Sequence, residues 1–116
     1  MDELVDFIRA RLDEDQQAAE EAQKKTTTTR RRVGGEWVED TVQPPEWRRS
    51  VWPPARVLRE IDAKRRVVDL MEGMLAAARG DSEVDHYGGL GAAEDTLELL
   101  ALPYADRPDY REEWRP

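Results

Sequence analysis

The side chains that could do covalent chemistry here form a short list: one histidine, His86, two serines, Ser50 and Ser82, and no cysteine. A serine nucleophile needs a base within hydrogen-bond reach, held to within about half an ångström. Ser82 lies four residues before His86, but the Gly88-Gly89-Leu90-Gly91 run follows at once, and so glycine-rich a stretch would not hold that geometry. His86 therefore reads as a solvated loop histidine. The carboxylates fare no better as metal ligands. Asp13, Glu14 and Asp15 are consecutive on a helix and point in different directions. Glu112 and Glu113 sit at an exposed end, and neither a calcium-loop spacing nor a Glu-x-x-His pair occurs. The glycine run lacks the Lys-Ser or Lys-Thr of a phosphate loop. The expectation is a protein with no catalytic residue, no metal and no cofactor, and not an enzyme.

What remains is charge and aromatic surface. The chain has a net charge of −8, which opposes general binding to nucleic acid. The mean conceals segregation. Residues 1–23 carry 2 basic and 8 acidic groups, residues 24–66 carry 12 and 6, and residues 67–116 carry 4 and 12. The basic middle holds Arg30, Arg31, Arg32, Arg48, Arg49, Arg56, Arg59, Lys64, Arg65 and Arg66, with Trp37, Trp47 and Trp52 among them. Two readings are open. These residues could bind nucleic acid by charge and stacking, with Arg30, Arg31, Arg32, Arg56, Arg59, Lys64, Arg65 and Arg66 as contacts. Alternatively they neutralise the acidic arms, which outnumber them, and this second reading is favoured. Trp37 and the aromatic tail of Tyr104, Tyr110 and Trp114 are the candidate protein-interface anchors. For the tail, the alternative of clamping the chain end onto the core is preferred.

The elements that must carry these residues are mainly helical. The chain has 116 residues, 39% hydrophobic and 38% charged, so a single small domain with a thin core is expected over residues 1–116. Leu4, Val5, Ile8 and Leu12 make one apolar stripe of a first helix over about 2–24, whose front half packs and whose alanine-rich back half projects. The Thr26–Thr29 run ends it. Residues 26–52 form a hairpin or linker region. Gly34-Gly35 between two β-prone runs signals a hairpin over 27–42, pairing Val33 with Glu36, Arg32 with Trp37, Arg31 with Val38 and Arg30 with Glu39. An unstructured linker is the alternative. A second helix over 54–79 starts at Pro54, after a Pro53 that lacks a capping side chain. Its apolar residues Val57, Leu58, Ile61, Val67, Val68, Met71, Met74, Leu75 and Ala78 cover more than half its circumference. It is therefore expected to be the central scaffold, with Leu4, Ile8 and Leu12 on one side and Leu97, Leu100 and Tyr104 near the other. Residues 81–91 read as a flexible loop. A third helix follows over about 93–104, with Leu99 and Leu102 widening its apolar face, then a short C-terminal helical turn ending near Trp114.

The acidic start, Met1-Asp2-Glu3-Leu4, has no signal-peptide pattern, and no apolar run approaches the roughly 20 residues that span a bilayer. The expected setting is the cytoplasm, without a membrane.

Two stretches carry a resemblance. Pro54 to Arg66, PARVLREIDAKRR, and the tail Leu99 to Trp114, LLALPYADRPDYREEW, resemble a family of small proteins of unknown function encoded by actinobacteria and their phages; Leu4 to Asp15 is similar as well. The resemblance implies a bacterial or phage setting and supplies no activity and no functional residue. In relatives an Asp often precedes the Pro of the central helix, where this chain has Pro53, and many carry Cys and His in the loop before the third helix, where it has His86 alone.

The function expected is a non-enzymatic interaction or regulatory protein with an unknown protein partner, working through helix faces, alone or paired with a second copy as a homodimer. The alternatives are a nucleic-acid-associated accessory factor using the basic segment 30–66 and, more weakly, an acidic decoy of a host protein.

Overall fold

A computed structural model of the chain describes residues 1–42, 52–80 and 89–116. In order it contains helix α1 (Asp2–Lys25), strands β1 (Thr27–Val33) and β2 (Glu36–Val42), helix α2 (Pro54–Gly80) and helix α3 (Gly89–Ala101). Two short 3-10 turns follow, Leu102–Tyr104 and Glu112–Trp114. The mainly helical class, the three helices, the hairpin and the terminal turn are therefore as the sequence predicts. The chain divides into two compact units. One comprises Met1–Asp13 and Asp62–Pro116, the other Glu14–Ile61.

The first unit holds most of the core. Leu4, Val5, Phe7, Ile8 and Leu12 are buried on the first turns of α1, Val68 and Leu75 on α2, Ala93, Leu97 and Ala101 on α3, and Trp114 at the end. The spacings explain the faces. Val68 and Leu75 are seven apart, and Ala93, Leu97 and Ala101 four apart, so each helix buries one narrow seam. Each fully buried Leu or Val stabilises by roughly 1.5–3 kcal/mol before entropy is counted. The expected apolar circumference of α2 is only partly buried, and α1 is tied both to α2 and to the chain end. Arg9 on α1 donates to Asp69 at 2.8 Å and to Glu72 at 2.9 Å on α2, while Phe7 meets the rings of Tyr104, Tyr110 and Trp114. α2 leaves Leu70 64% and Met74 39% exposed. A helix with apolar residues around most of its circumference buries them only if enough apolar surface faces it, and a chain this rich in charge does not supply it.

α3 begins at Gly89, four residues before its expected start, so residues 89–91 form its first turn rather than the end of a loop. Glycine costs a helix about 1 kcal/mol per residue, and the seam of Ala93, Leu97 and Ala101 offsets that. The α-helix ends three residues before the expected Tyr104. Pro103 has no N–H for an i→i−4 bond, and the chain tightens into a 3-10 turn closed by Ala105 N–H on the Leu102 carbonyl at 3.1 Å. Leu99 and Leu102 do not widen the buried face: they are exposed.

In the second unit the back half of α1 does not simply project, for Ala19 and Ala22 are buried, as is Ile61 on α2. Thr26 closes α1, its N–H on the Gln23 carbonyl at 3.2 Å and its hydroxyl on the Ala22 carbonyl at 2.8 Å. The hairpin forms in the expected register, from Thr27↔Val42 to Val33↔Glu36. Gly34 (φ 60°) and Gly35 (φ 88°) both occupy the left-handed region that a two-residue turn of this hand requires. At the start of α2 the carbonyl of Pro53 does what its side chain cannot, accepting from Arg56 N–H at 3.0 Å and Val57 N–H at 3.2 Å.

Candidate interaction surfaces

Most of the described residues of the basic segment are engaged within the chain. On the hairpin Arg30 pairs with Glu39 and Arg31 with Asp40, each at 2.8 Å, and Arg32 lies over the Trp37 ring at 5.8 Å. Strand pairing does this work: β1 carries three arginines and β2 Glu36, Glu39 and Asp40, so antiparallel register sets unlike charges side by side. On α2 Arg56 stacks 3.4 Å over Trp52 and reaches Glu60, one turn on, at 3.4 Å. Arg66 bonds Asp62 at 3.1 Å and Arg65 bonds Asp13 on α1 at 2.5 Å. Arg59 and Lys64 are exposed. Arg48, Arg49, Trp47, Ser50, Ser82 and His86 lie outside the described residues. Counted over the units, the basic island dissolves: residues 14–61 hold nine acidic and nine basic groups, while 1–13 with 62–116 hold seventeen and nine, the whole net charge of −8.

The aromatic tail turns inward. Trp114 is buried, 5.1 Å from Phe7 and 5.7 Å from Tyr110 between ring centroids, and Tyr104 meets Phe7 edge-on at 6.4 Å. Arg11 stacks on Phe7 at 5.3 Å and bonds Asp109 at 3.2 Å; Arg111 bonds Glu3. Three α1 residues thus fix the chain end, the clamping arrangement for Tyr104, Tyr110 and Trp114. Trp37 is 66% exposed on the hairpin and remains available for contact. Hydrogen bonds from Arg9 to Glu72, then Asp69, push its guanidinium pKa further above its already high ordinary value. Arg115, by its hydrogen bond, holds the Glu112 carboxyl below the usual range.

Two helix faces stay uncovered. On α2, Arg66, Asp69, Leu70, Gly73, Met74 and Ala77 line an open apolar groove. On α3 Leu99 is 57% exposed, and Leu102 in the 3-10 turn after it is 37% exposed. Sequence reasoning missed both as surfaces, because it counted Met74, Leu99 and Leu102 with the core. A signal existed. Leu70 follows Val68 by two residues and Leu99 follows Leu97 by two, which on a 3.6-residue helix points each about 200° from its buried neighbour. Among the described residues no group of three or more side chains could hold a metal ion, and no helix is long and apolar enough to cross a membrane.

A family model described as a family of unknown function (DUF6221) matches residues 1–116. No curated protein and no solved structure matches the chain.

Proposed function

The chain belongs to that family of unknown function, and from this premise we propose that it is a non-enzymatic protein that acts by binding another protein through its helix faces. The observation that carries the reading is the groove on α2: Leu70 and Met74 remain exposed beside Gly73 and Ala77 on a helix that buries Ile61, Val68 and Leu75. Single exposed leucines are ordinary; an apolar strip two turns long is what a partner covers. The resemblance of its central helix and tail supports a bacterial or phage setting, and the cytoplasm is the compartment where such a partner is sought. Affinity purification from the native host with mass spectrometry tests the proposal. A partner should co-purify with the parent and be lost from a Leu70→Ser, Met74→Ser variant that melts like the parent. A chain that comes through alone, monomeric by light scattering, overturns it.

Binding to nucleic acid is the second reading, and Arg32 stacked on the exposed Trp37 is what favours it. It requires DNA or RNA binding that falls steeply with salt and disappears on neutralising Arg30, Arg31 and Arg32. Its support is weaker because Arg30, Arg31, Arg56, Arg65 and Arg66 already hold carboxylates of this chain.

A further inference from the structure

Away from α3, the unit comprising 1–13 and 62–116 pairs several of its carboxylates with arginines. Glu3 meets Arg111, Asp13 meets Arg65, Asp62 meets Arg66, Asp69 and Glu72 share Arg9, Asp109 meets Arg11, and Glu112 meets Arg115. α3 departs from this. It carries Glu94, Asp95 and Glu98 with no lysine or arginine in its thirteen residues, and none of the three is paired among the described residues. The placement is locally unfavourable. Glu94 and Glu98 are one turn apart, where like charges repel, and Glu98 lies toward the helix's negative C-terminal end. The same helix turns Leu99 outward, 57% exposed, with Leu102 at 37%. Asp95 and Leu99 are four residues apart on the side of α3 away from the buried Ala93, Leu97 and Ala101, and the exposed Leu102 opens the 3-10 turn that follows.

An apolar strip bordered by unmatched negative charge is complementary to one kind of occupant. We infer that the outer face of α3 and the turn that follows it, with Leu99 and Leu102 beside Glu94, Asp95 and Glu98, is the docking surface for a cationic amphipathic helix of a partner protein. The inference rests on the reading of this chain as a protein that binds proteins, and it specifies that partner's chemistry: leucine-like residues at helical spacing with lysine or arginine beside them. A second copy is a poor occupant, because a two-fold contact would set three carboxylates against the same three. Nucleic acid is repelled by the same charges.

The test uses the whole purified chain and a short synthetic helix of leucine and lysine in amphipathic order, with a scrambled peptide of equal composition as control. Fluorescence anisotropy should show binding of the ordered peptide only, weakening as salt rises. The Glu94→Gln, Asp95→Asn, Glu98→Gln variant should weaken it about tenfold, the sum of several exposed ion pairs. Leu99→Ser should weaken it comparably, and both variants should keep the parent's melting temperature because the changed groups are on the surface. Equal binding by scrambled and ordered peptide, or binding untouched by these variants, overturns the assignment to α3. So does a parent dimer that Leu99→Ser converts to monomer, since a second copy would then be the occupant. A partner recovered from the host equally well by parent and variants overturns this inference while the protein-binding reading stands; absence of any partner removes both.

Discussion

Among the described residues the largest fully buried side chains, Leu4, Val5, Ile8, Leu12, Val68 and Leu97, belong to the unit comprising 1–13 and 62–116, whereas those of 14–61 bury only Ala19, Ala22, Pro54 and Ile61 among their apolar side chains. The first unit is held by excluded water and an aromatic cluster. The second is held by a backbone ladder and cross-strand ion pairs, with Val33, Trp37 and Val42 left in solvent. The contrast extends to charge, since the second unit is neutral by sequence and the first carries the full excess. Burial of large side chains is thus concentrated in one part of the chain and cross-strand pairing in the other, and a two-stranded hairpin alone is marginal in water. The comparison predicts that damage in the first unit unfolds the protein and damage to the hairpin stays local.

The severest break is Leu97→Asp, which buries an unpaired carboxylate at a cost of several kcal/mol, comparable to the stability of a small domain. Circular dichroism should show an unfolded chain at room temperature; a cooperative melt near the parent's would refute the placement of the core. Phe7→Ala removes the ring on which Tyr104, Tyr110 and Trp114 converge and should cost about 3–5 kcal/mol in urea denaturation. Gly34→Val forces a β-branched residue to positive φ and should cost the hairpin about 1–2 kcal/mol. That loss should show in faster amide exchange over β1 and β2, with the melting temperature of the helices unmoved. Arg9→Ala deletes the links from α1 to Asp69 and Glu72; because these groups are largely solvated, about 1 kcal/mol is expected. The smallest effect is Glu112→Gln at the exposed terminus. With its folded pKa depressed by Arg115, the Glu112 carboxylate contributes stability above the ordinary glutamate pKa, and that contribution is lost as pH falls through the lower folded value. The variant should therefore melt slightly below the parent at neutral pH, and the difference should vanish as pH falls through the lower folded value.

Much of the fold was legible because it is local. The Gly34-Gly35 pair dictated a turn, and the turn dictated the register that sets Arg30 by Glu39 and Arg32 by Trp37. The stripe of Leu4, Ile8 and Leu12 and the seam of Ile61, Val68 and Leu75 follow from helical spacing alone. Less of the candidate surface could be read. Leu70, Met74, Leu99 and Leu102 are chemically indistinguishable from core residues, and hydrophobicity does not say whether a partner face exists.

The sequence by itself determined the helices, the hairpin register and the pairing of charges across adjacent strands and turns, since these depend on neighbours a fixed number of residues away. Tertiary structure alone decided that Arg9 finds Asp69 and Glu72 some sixty residues distant, and that Trp114 closes on Phe7. Those outcomes depend on which apolar faces meet and on how much surface is left to cover them, and no spacing along the chain records either.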